Sequence, residues 1–363
     1  MSSHSSSSAG VPKDAPTSNP PAVTDSSQQK DTRPIMEYMV SHRPPMFEYS
    51  VVRSLFVQSM PEYLIDQQEF NDHYWTKNFG LMLFNDKDEP DWKAFTDRVA
   101  ELNANAAPDE TYKVLYLARH GQGYHNLAIE KYGHPKWERE IGMLREYEGL
   151  QLGPDPDLTD TGKKEALGVN KIWKTQISKY MLSEAGALPQ KFYASPFTRA
   201  LQTLEVTWHD IVLNLPDAPK VHVKEGLRET IGRHYCDYRG DMRDIRKAFP
   251  WVETEEGMKD EDTIWTEARE DGRVGGSMDW RVRDALDDIF INDGETFISI
   301  TAHSGCLGCV MRVTGHRFFA LETSRMVPLV VKAKLRPEFK DRKLPARISG
   351  LPYAFTPAHL DST

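Results

Sequence analysis

The spacing of apolar residues changes several times along the chain, and each spacing points to a different element. Trp92, Phe95, Val99 and Leu102 fall three or four apart, which predicts an amphipathic helix over Trp92 to Asn103. Val114-Leu115-Tyr116-Leu117-Ala118 is instead an unbroken apolar run, the pattern of a strand covered on both faces. Helical spacing returns from Asp160 to Tyr180, with Ala166, Val169, Ile172, Trp173, Ile177 and Tyr180 on one face and Thr159 or Thr161 as the cap. Strand candidates at Phe192 to Ala194, Val221 to Val223, Thr296 to Thr301 and Met326 to Val331 then alternate with helical stretches. Those helices are expected over Thr198 to Leu213, Trp280 to Ile289 and Cys306 to Gly315. The alternation predicts an α/β fold, a three-layer α/β/α sandwich with a mostly parallel central sheet.

The two ends break this pattern. Ser2 to about Pro34 is rich in Ser, Pro, Asp and Lys with hardly a large apolar side chain, so it cannot offset its ordering entropy and is expected as a disordered tail. Tyr38 to Trp92 is aromatic-rich but poorly periodic, with Phe47, Tyr49, Phe56, Tyr63, Phe70, Tyr74, Trp75, Phe79 and Phe84, and reads as an extension wrapped on the core. Of the 363 residues, 39% are hydrophobic, enough for a large core. No window approaches the run of roughly 18 apolar residues that a membrane helix needs. A formal charge of -9 with no Lys/Arg block argues against a nucleic-acid or membrane-surface partner. Three cysteines and no apolar leader argue against a secreted disulfide scaffold, so a cytoplasmic location, open to the nucleus but without a basic import cluster, is expected.

In an open α/β sheet the ligand lies outside the carboxyl ends of the strands. The residues that follow the expected strands are Arg119-His120-Gly121, Ser195-Pro196-Phe197-Thr198-Arg199, Leu227-Arg228-Glu229 and Ala302-His303-Ser304-Gly305. Two arginines, two histidines and a carboxylate at one crevice suit a phosphoryl group, because guanidinium forks match phosphate oxygens. An imidazole among them can attack phosphorus, and the departing alkoxide then needs a carboxylic acid. Glu229 is the first candidate for that acid and Glu225 the fallback.

Taken in order, Leu117-Ala118-Arg119-His120-Gly121 with Asn126, Leu158-Thr159 with Gly162, Ala194-Ser195-Pro196 with Arg199 and Thr203, and Ala302-His303-Ser304-Gly305 resemble the histidine phosphatase superfamily, also called phosphoglycerate-mutase-like. Gly121-Gln122-Gly123-Tyr124-His125-Asn126 and the stretch from Leu227 through Gly232, His234, Cys236-Asp237 and Arg239 are similar to its fungal phosphomutase-like branch. The resemblance covers about Thr111 to Leu335, which sets the expected organisation: a tail over 1–34, an extension over 35–110, the catalytic domain over 111–335 and a C-terminal tail over 336–363. It implies His120 as the phosphorylated nucleophile, Arg119, Arg199, His303 and Asn126 around the phosphate, and Glu229 as the proton donor. His234, Asp237 and Arg239 are implied as substrate-side residues, with no metal and no other cofactor. The string Leu227-Arg228-Glu229-Thr230-Ile231-Gly232 departs from the Asn-Glu-Arg-His-Tyr-Gly context of glycolytic mutases, which favours hydrolysis of a small phosphorylated metabolite over mutation.

Competing readings of the same residues are weaker. Gly121-Gln122-Gly123 imitates the start of a dinucleotide fingerprint, but Asn126 stands where its third glycine belongs. Cys306-Leu307-Gly308-Cys309 imitates a redox or zinc pair, yet falls in an expected buried helix and is read as packing. Ser304 lacks the Gly-x-Ser-x-Gly elbow of a serine hydrolase. The acidic run Glu253 to Asp262 reads as a solvated loop or a lid. Beside the phosphatase reading stand a phosphomutase and a non-catalytic phospho-ligand sensor.

Overall fold

In the computed structural model, which describes residues 43–60, 75–267, 276–318 and 320–360, seven strands form one sheet. The expected tail over 1–34 lies outside the described residues, as do Tyr63, Phe70 and Tyr74. In chain order the main elements are β1 (Phe47–Val51), α1 (Trp92–Ala104), β2 (Glu110–Arg119), α2 (Tyr124–Tyr132), α3 (Asp160–Tyr180), β3 (Lys191–Ala194) and α4 (Thr198–Trp208). They continue with β4 (Val221–Val223), α5 (Met242–Ala248), β5 (Val252–Thr254), α6 (Ser277–Asn292), β6 (Phe297–Ala302), α7 (Ser304–Val313) and β7 (Met326–Leu335). The strand order is β1-β7-β2-β6-β3-β4-β5, and every pairing is parallel except those made by β7.

The apolar run of β2 is central, with Leu115, Tyr116 and Leu117 fully buried between β6 and β7. On one face the Tyr116 ring meets Trp173 of α3 at 5.2 Å, and Trp173 meets Trp208 of α4 at 4.6 Å. On the other, α6 and α7 pack together, and Phe290 of α6 meets Phe47 and Tyr49 of β1 at 6.1 and 5.2 Å. The architecture is the expected three-layer α/β/α sandwich around a mostly parallel sheet. Thr159 is the cap of α3, its Oγ accepting from Gly162 N at 3.1 Å.

Several elements carry no periodic signal. The aromatic extension is more than a wrapping: Phe47 to Val51 pairs antiparallel with β7, and Phe56, Phe79, Trp92 and Phe95 join the main core. The helix expected over Thr198 to Leu213 ends at Trp208 and continues as a wider π-type turn over His209–Leu213. Residues 336–360 lie against the core: Tyr353 is 4% exposed and its hydroxyl donates to Pro189 O at 2.5 Å. No residue of the acidic run lines the cavity described below. The run forms β5 and then enters the interior, where the fully buried Asp262 carboxylate accepts from Arg228 at 2.6 Å and from Arg239 N at 2.8 Å. Among the described residues no helix is long and apolar enough to cross a membrane.

Candidate active site

Parallel register brings the strand ends to one height. Arg119 of β2 lies opposite Ala302 of β6, and Ala194 of β3 opposite Thr301. The next residues, His120, His303 and Ser195, therefore emerge side by side, with His120 N donating to Ala302 O and Ser195 N to Thr301 O, both at 3.0 Å. The His120 and His303 rings are 5.0 Å apart. Chain direction then reverses at each site into a helix, and Arg199 on the first turn of α4 is carried to the same point.

His120 is 2% exposed, and its Nδ1 lies 2.6 Å from Gly121 O. A carbonyl only accepts, so Nδ1 holds the proton and the lone pair is on Nε2. Burial first, then the charges of Arg199 and Arg119, hold the imidazole pKa well below its ordinary value, which keeps it neutral. The Gly121 turn admits no side chain, since a Cβ there would lie 2.5 Å from Gly162 O. Its amide donates to Thr203 Oγ at 2.9 Å, while that hydroxyl donates to Arg199 O at 2.7 Å, locking the turn to α4.

The two guanidiniums are held by their outer nitrogens. Arg119 Nη1 donates to Leu321 O at 2.7 Å; Arg199, 1% exposed, donates to Cys236 O at 2.8 Å and to Asp237 Oδ1 at 3.0 Å. Arg119 Nε and Arg199 Nε are buried and have no hydrogen-bond partner among the described residues. The same is true of His303 Nδ1, whose ring is fixed on its other side by the 2.7 Å hydrogen bond between Nε2 and Ser195 Oγ. His125 Nδ1 is a fourth such nitrogen, on a ring 5.4 Å from that of His120. Burial and the nearby Arg199 hold His125 and His303 well below the usual histidine range as well.

Glu229 is 8% exposed, and its Oε2 accepts from Gly305 N at the start of α7 at 2.8 Å. A Cβ at Gly305 would lie 2.1 Å from Glu229 Oε1, so a side chain there would displace the carboxyl. Arg281 of α6 donates to the carbonyls of Gly226, Arg228 and Glu229, each at 3.0 Å, and so holds the segment that presents the acid. The cavity over these residues is about 1080 Å³.

The other expected site residues divide. Asn126 lines the cavity, with its Oδ1 accepting from Gly123 N at 3.0 Å at the start of α2. His234 lines it beside Trp137, at 5.4 Å between rings, and faces Glu138 at 3.3 Å. Asp237 lines it too, but its carboxylate serves Arg199. Arg239 must be reassigned: it is 3% exposed and absent from the cavity wall, and its donors go to Glu225 at 2.9 Å and to the carbonyls of Gly240, Lys259, Asp260 and Glu261. Glu225, the fallback acid, is occupied by Arg239 and Arg228 and is likewise not on that wall. Cys306 and Cys309 are buried in α7 within the core. Ser195 stands in the strand-end set, whereas His125, Thr203 and Arg281 lie outside it. His125 carries the best signal of these, a second histidine within six residues of Arg119.

The model of the histidine phosphatase superfamily (branch 1) matches residues 115–323. The chain is 34% identical over 321 residues to a "Probable phosphoglycerate mutase" of Arthroderma benhamiae, covering 85% of this chain and 92% of that protein. It is 31% identical over 277 residues to a "Probable phosphoglycerate mutase" of Saccharomyces cerevisiae, covering 71% and 88%. A "Phosphomutase-like protein 3" of Candida albicans is 30% identical over 286 residues, with 78% and 80% covered.

Proposed function

This chain belongs to the histidine phosphatase superfamily, and from that premise we propose that it is a phosphomonoesterase that hydrolyses a small phosphorylated metabolite through a phosphohistidine, without metal. The observation that carries the reading is the set of four buried nitrogens around His120, on Arg119, His125, Arg199 and His303, that have no partner among the described residues. Buried polar groups are otherwise almost always satisfied, so a cluster of four marks where an anion is held. A phosphoryl group matches it, because three equatorial oxygens accept from several donors at once and gain charge stabilisation as the bond to the leaving group weakens.

In the first half-reaction the Nε2 lone pair of His120 attacks phosphorus in line. An N–P bond forms and the P–O ester bond breaks. The departing oxygen takes its proton from the Glu229 carboxyl and leaves as the alcohol. In the second, Glu229, now a carboxylate, accepts a proton from water as the water oxygen attacks phosphorus. The N–P bond breaks, inorganic phosphate departs, and His120 and Glu229 return to their starting states. Glu229 Oε1 accepts from the amide and the hydroxyl of Thr230, whereas Oε2 keeps a second lone pair beyond the amide bond from Gly305, so the proton has a place to sit there.

A mutase reading is favoured by the names of the relatives, and it differs only in the fate of the phosphohistidine. A mutase must keep water from that intermediate, whereas this cavity of about 1080 Å³ is at the upper limit of small-ligand pockets, wide enough to admit water beside a short-chain metabolite. The deciding experiment follows phosphate release and isomer formation from a panel of sugar, polyol, glycerate and nucleotide phosphates in chelator, for wild type and His120→Ala. Stoichiometric phosphate that disappears in the variant is expected. Isomerised ester without net phosphate would replace the phosphatase by a mutase, and binding without either product would leave a sensor.

A further inference from the structure

The inner end of the cavity is cationic, but its outer wall is not. The wall of the cavity also carries four carboxylates, Glu130, Glu138, Glu165 and Glu322, against two guanidiniums, Arg233 and Arg325, and of the four Glu165 and Glu322 also act on Arg119. Each guanidinium already faces one of these carboxylates. Arg233 Nη2 lies 3.4 Å from Glu138, and Arg325 Nε lies 3.5 Å from Glu322 while its plane sits 4.3 Å over Trp75. Among the described residues no salt bridge reaches Glu130 or Glu165: the first accepts from Gln122 Nε2 at 3.0 Å, the second from Gln122 N at 2.8 Å and Thr323 Oγ at 3.0 Å. With histidines counted neutral, these four carboxylates outnumber Arg233 and Arg325 by two, and Glu130 and Glu138 are the two that do not act on Arg119.

Such a wall discriminates between leaving groups that the phosphoryl pocket treats alike. A carboxylate has acceptors only, so it recognises O–H or N–H donors and repels a second anion. The glycerate carboxylate of a phosphoglycerate, or the second phosphate of a bisphosphate, would need a cation of its own, and both outer guanidiniums are already committed. A hydroxyl-rich, uncharged organic part meets Glu130, Glu165, Thr161 and Thr323 as donor to acceptor.

We propose, resting on the phosphomonoesterase reading above, that the substrate class is the monophosphate of an uncharged polyol or sugar, and that the acidic outer wall selects against phosphoglycerates and bisphosphates. This runs against the names carried by the relatives, and it follows from charge placement in this chain alone.

The test compares kcat/KM for glycerol phosphate and for phosphoglycerate with the full chain, at low and at high salt, following both phosphate and isomer. Glycerol phosphate is expected to lead by about tenfold or more at low salt, with the gap closing as salt screens the partly exposed carboxylates. The double variant Glu130→Gln with Glu138→Gln should raise kcat/KM for phosphoglycerate several-fold relative to that for glycerol phosphate. Phosphoglycerate turned over as well as glycerol phosphate at low salt would overturn the substrate class and leave the phosphatase standing. A preference that neither salt nor the double variant alters would also overturn it, because the discrimination would then not be electrostatic. Turnover of no ester together with no radiolabelled phosphohistidine would sink the phosphatase reading itself, and the substrate class with it.

Discussion

At the scale of single residues, the site depends on positions where a side chain is excluded as much as on those where one acts. Gly305 gives its amide to Glu229 Oε2 and leaves room for Oε1. Gly305→Ala would place a methyl 2.1 Å from that oxygen and push the carboxyl away from its station. A positioned general acid contributes on the order of 10² to 10⁴ in rate. We therefore expect the variant to lose about 10² in kcat on esters with poor leaving groups, and far less on an activated aryl phosphate whose leaving group needs no proton. Equal losses on both esters would show that the damage lies elsewhere. At the same scale stands Arg239, which the family resemblance implied on the substrate side and which the structure places away from the cavity wall. A charge downstream of Glu229 is indistinguishable in sequence from a substrate ligand, and only its five bonds to Glu225 and loop carbonyls reveal a structural role.

At the scale of elements, the acid is held from behind. The short turn Glu225–Leu227 and the extended residues after it expose carbonyls to the interior, and Arg281 of α6 satisfies three of them. Arg228 continues the clamp with both Glu225 and the buried Asp262. Arg281→Met keeps most of the volume but leaves those carbonyls buried without that donor, each costing about 1 to 3 kcal/mol before relaxation. A loss of about 3 kcal/mol in unfolding free energy is expected, read as a shift of the urea midpoint, with kcat reduced more than KM raised. An unshifted midpoint would mean that water replaces the guanidinium. None of this clamp has a periodic signature, which is why the acidic run over Glu253 to Asp262 reads from sequence as solvent-facing while its last residue is interior.

At the scale of the whole molecule, the protein carries several histidines that fold in neutral form. His120, His125 and His303 are held well below the ordinary value of 6.5, chiefly by burial, and burial takes His316 down to about 4. Since the unfolded chain takes up protons at these residues near 6.5 and the folded one does not, stability is complete above that pH and is lost as pH falls toward the folded values. For His316 the interval from 6.5 to about 4 corresponds to roughly 3 kcal/mol. Tm should therefore decline as pH is lowered from neutral to about 4, and His316→Asn should decline less over the same interval. A Tm independent of pH there would contradict the neutral burial of these rings. Neutral His120 also places the acid limb of the activity profile below 6.5, so nucleophile protonation does not limit turnover at neutral pH.

The linear order of residues was by itself sufficient for the layered α/β architecture, because burial of β2 on both faces and of one side of α3 imposes apolar spacings that any reading recovers. It was also sufficient for the core of the site, since parallel strands that end in Arg119-His120, Ser195 and His303 must deliver them to one edge. Tertiary structure alone decided the rest. Pairing of β1 with β7 depends on a register across nearly three hundred residues, and the division of arginines into ligands and clamps depends on which carbonyls and carboxylates lie within 3 Å. The acidic character of the outer wall is of the same kind. Glu130, Glu165 and Glu322 belong to helices and loops far apart in sequence, and their joint field exists only where the fold sets them around one cavity.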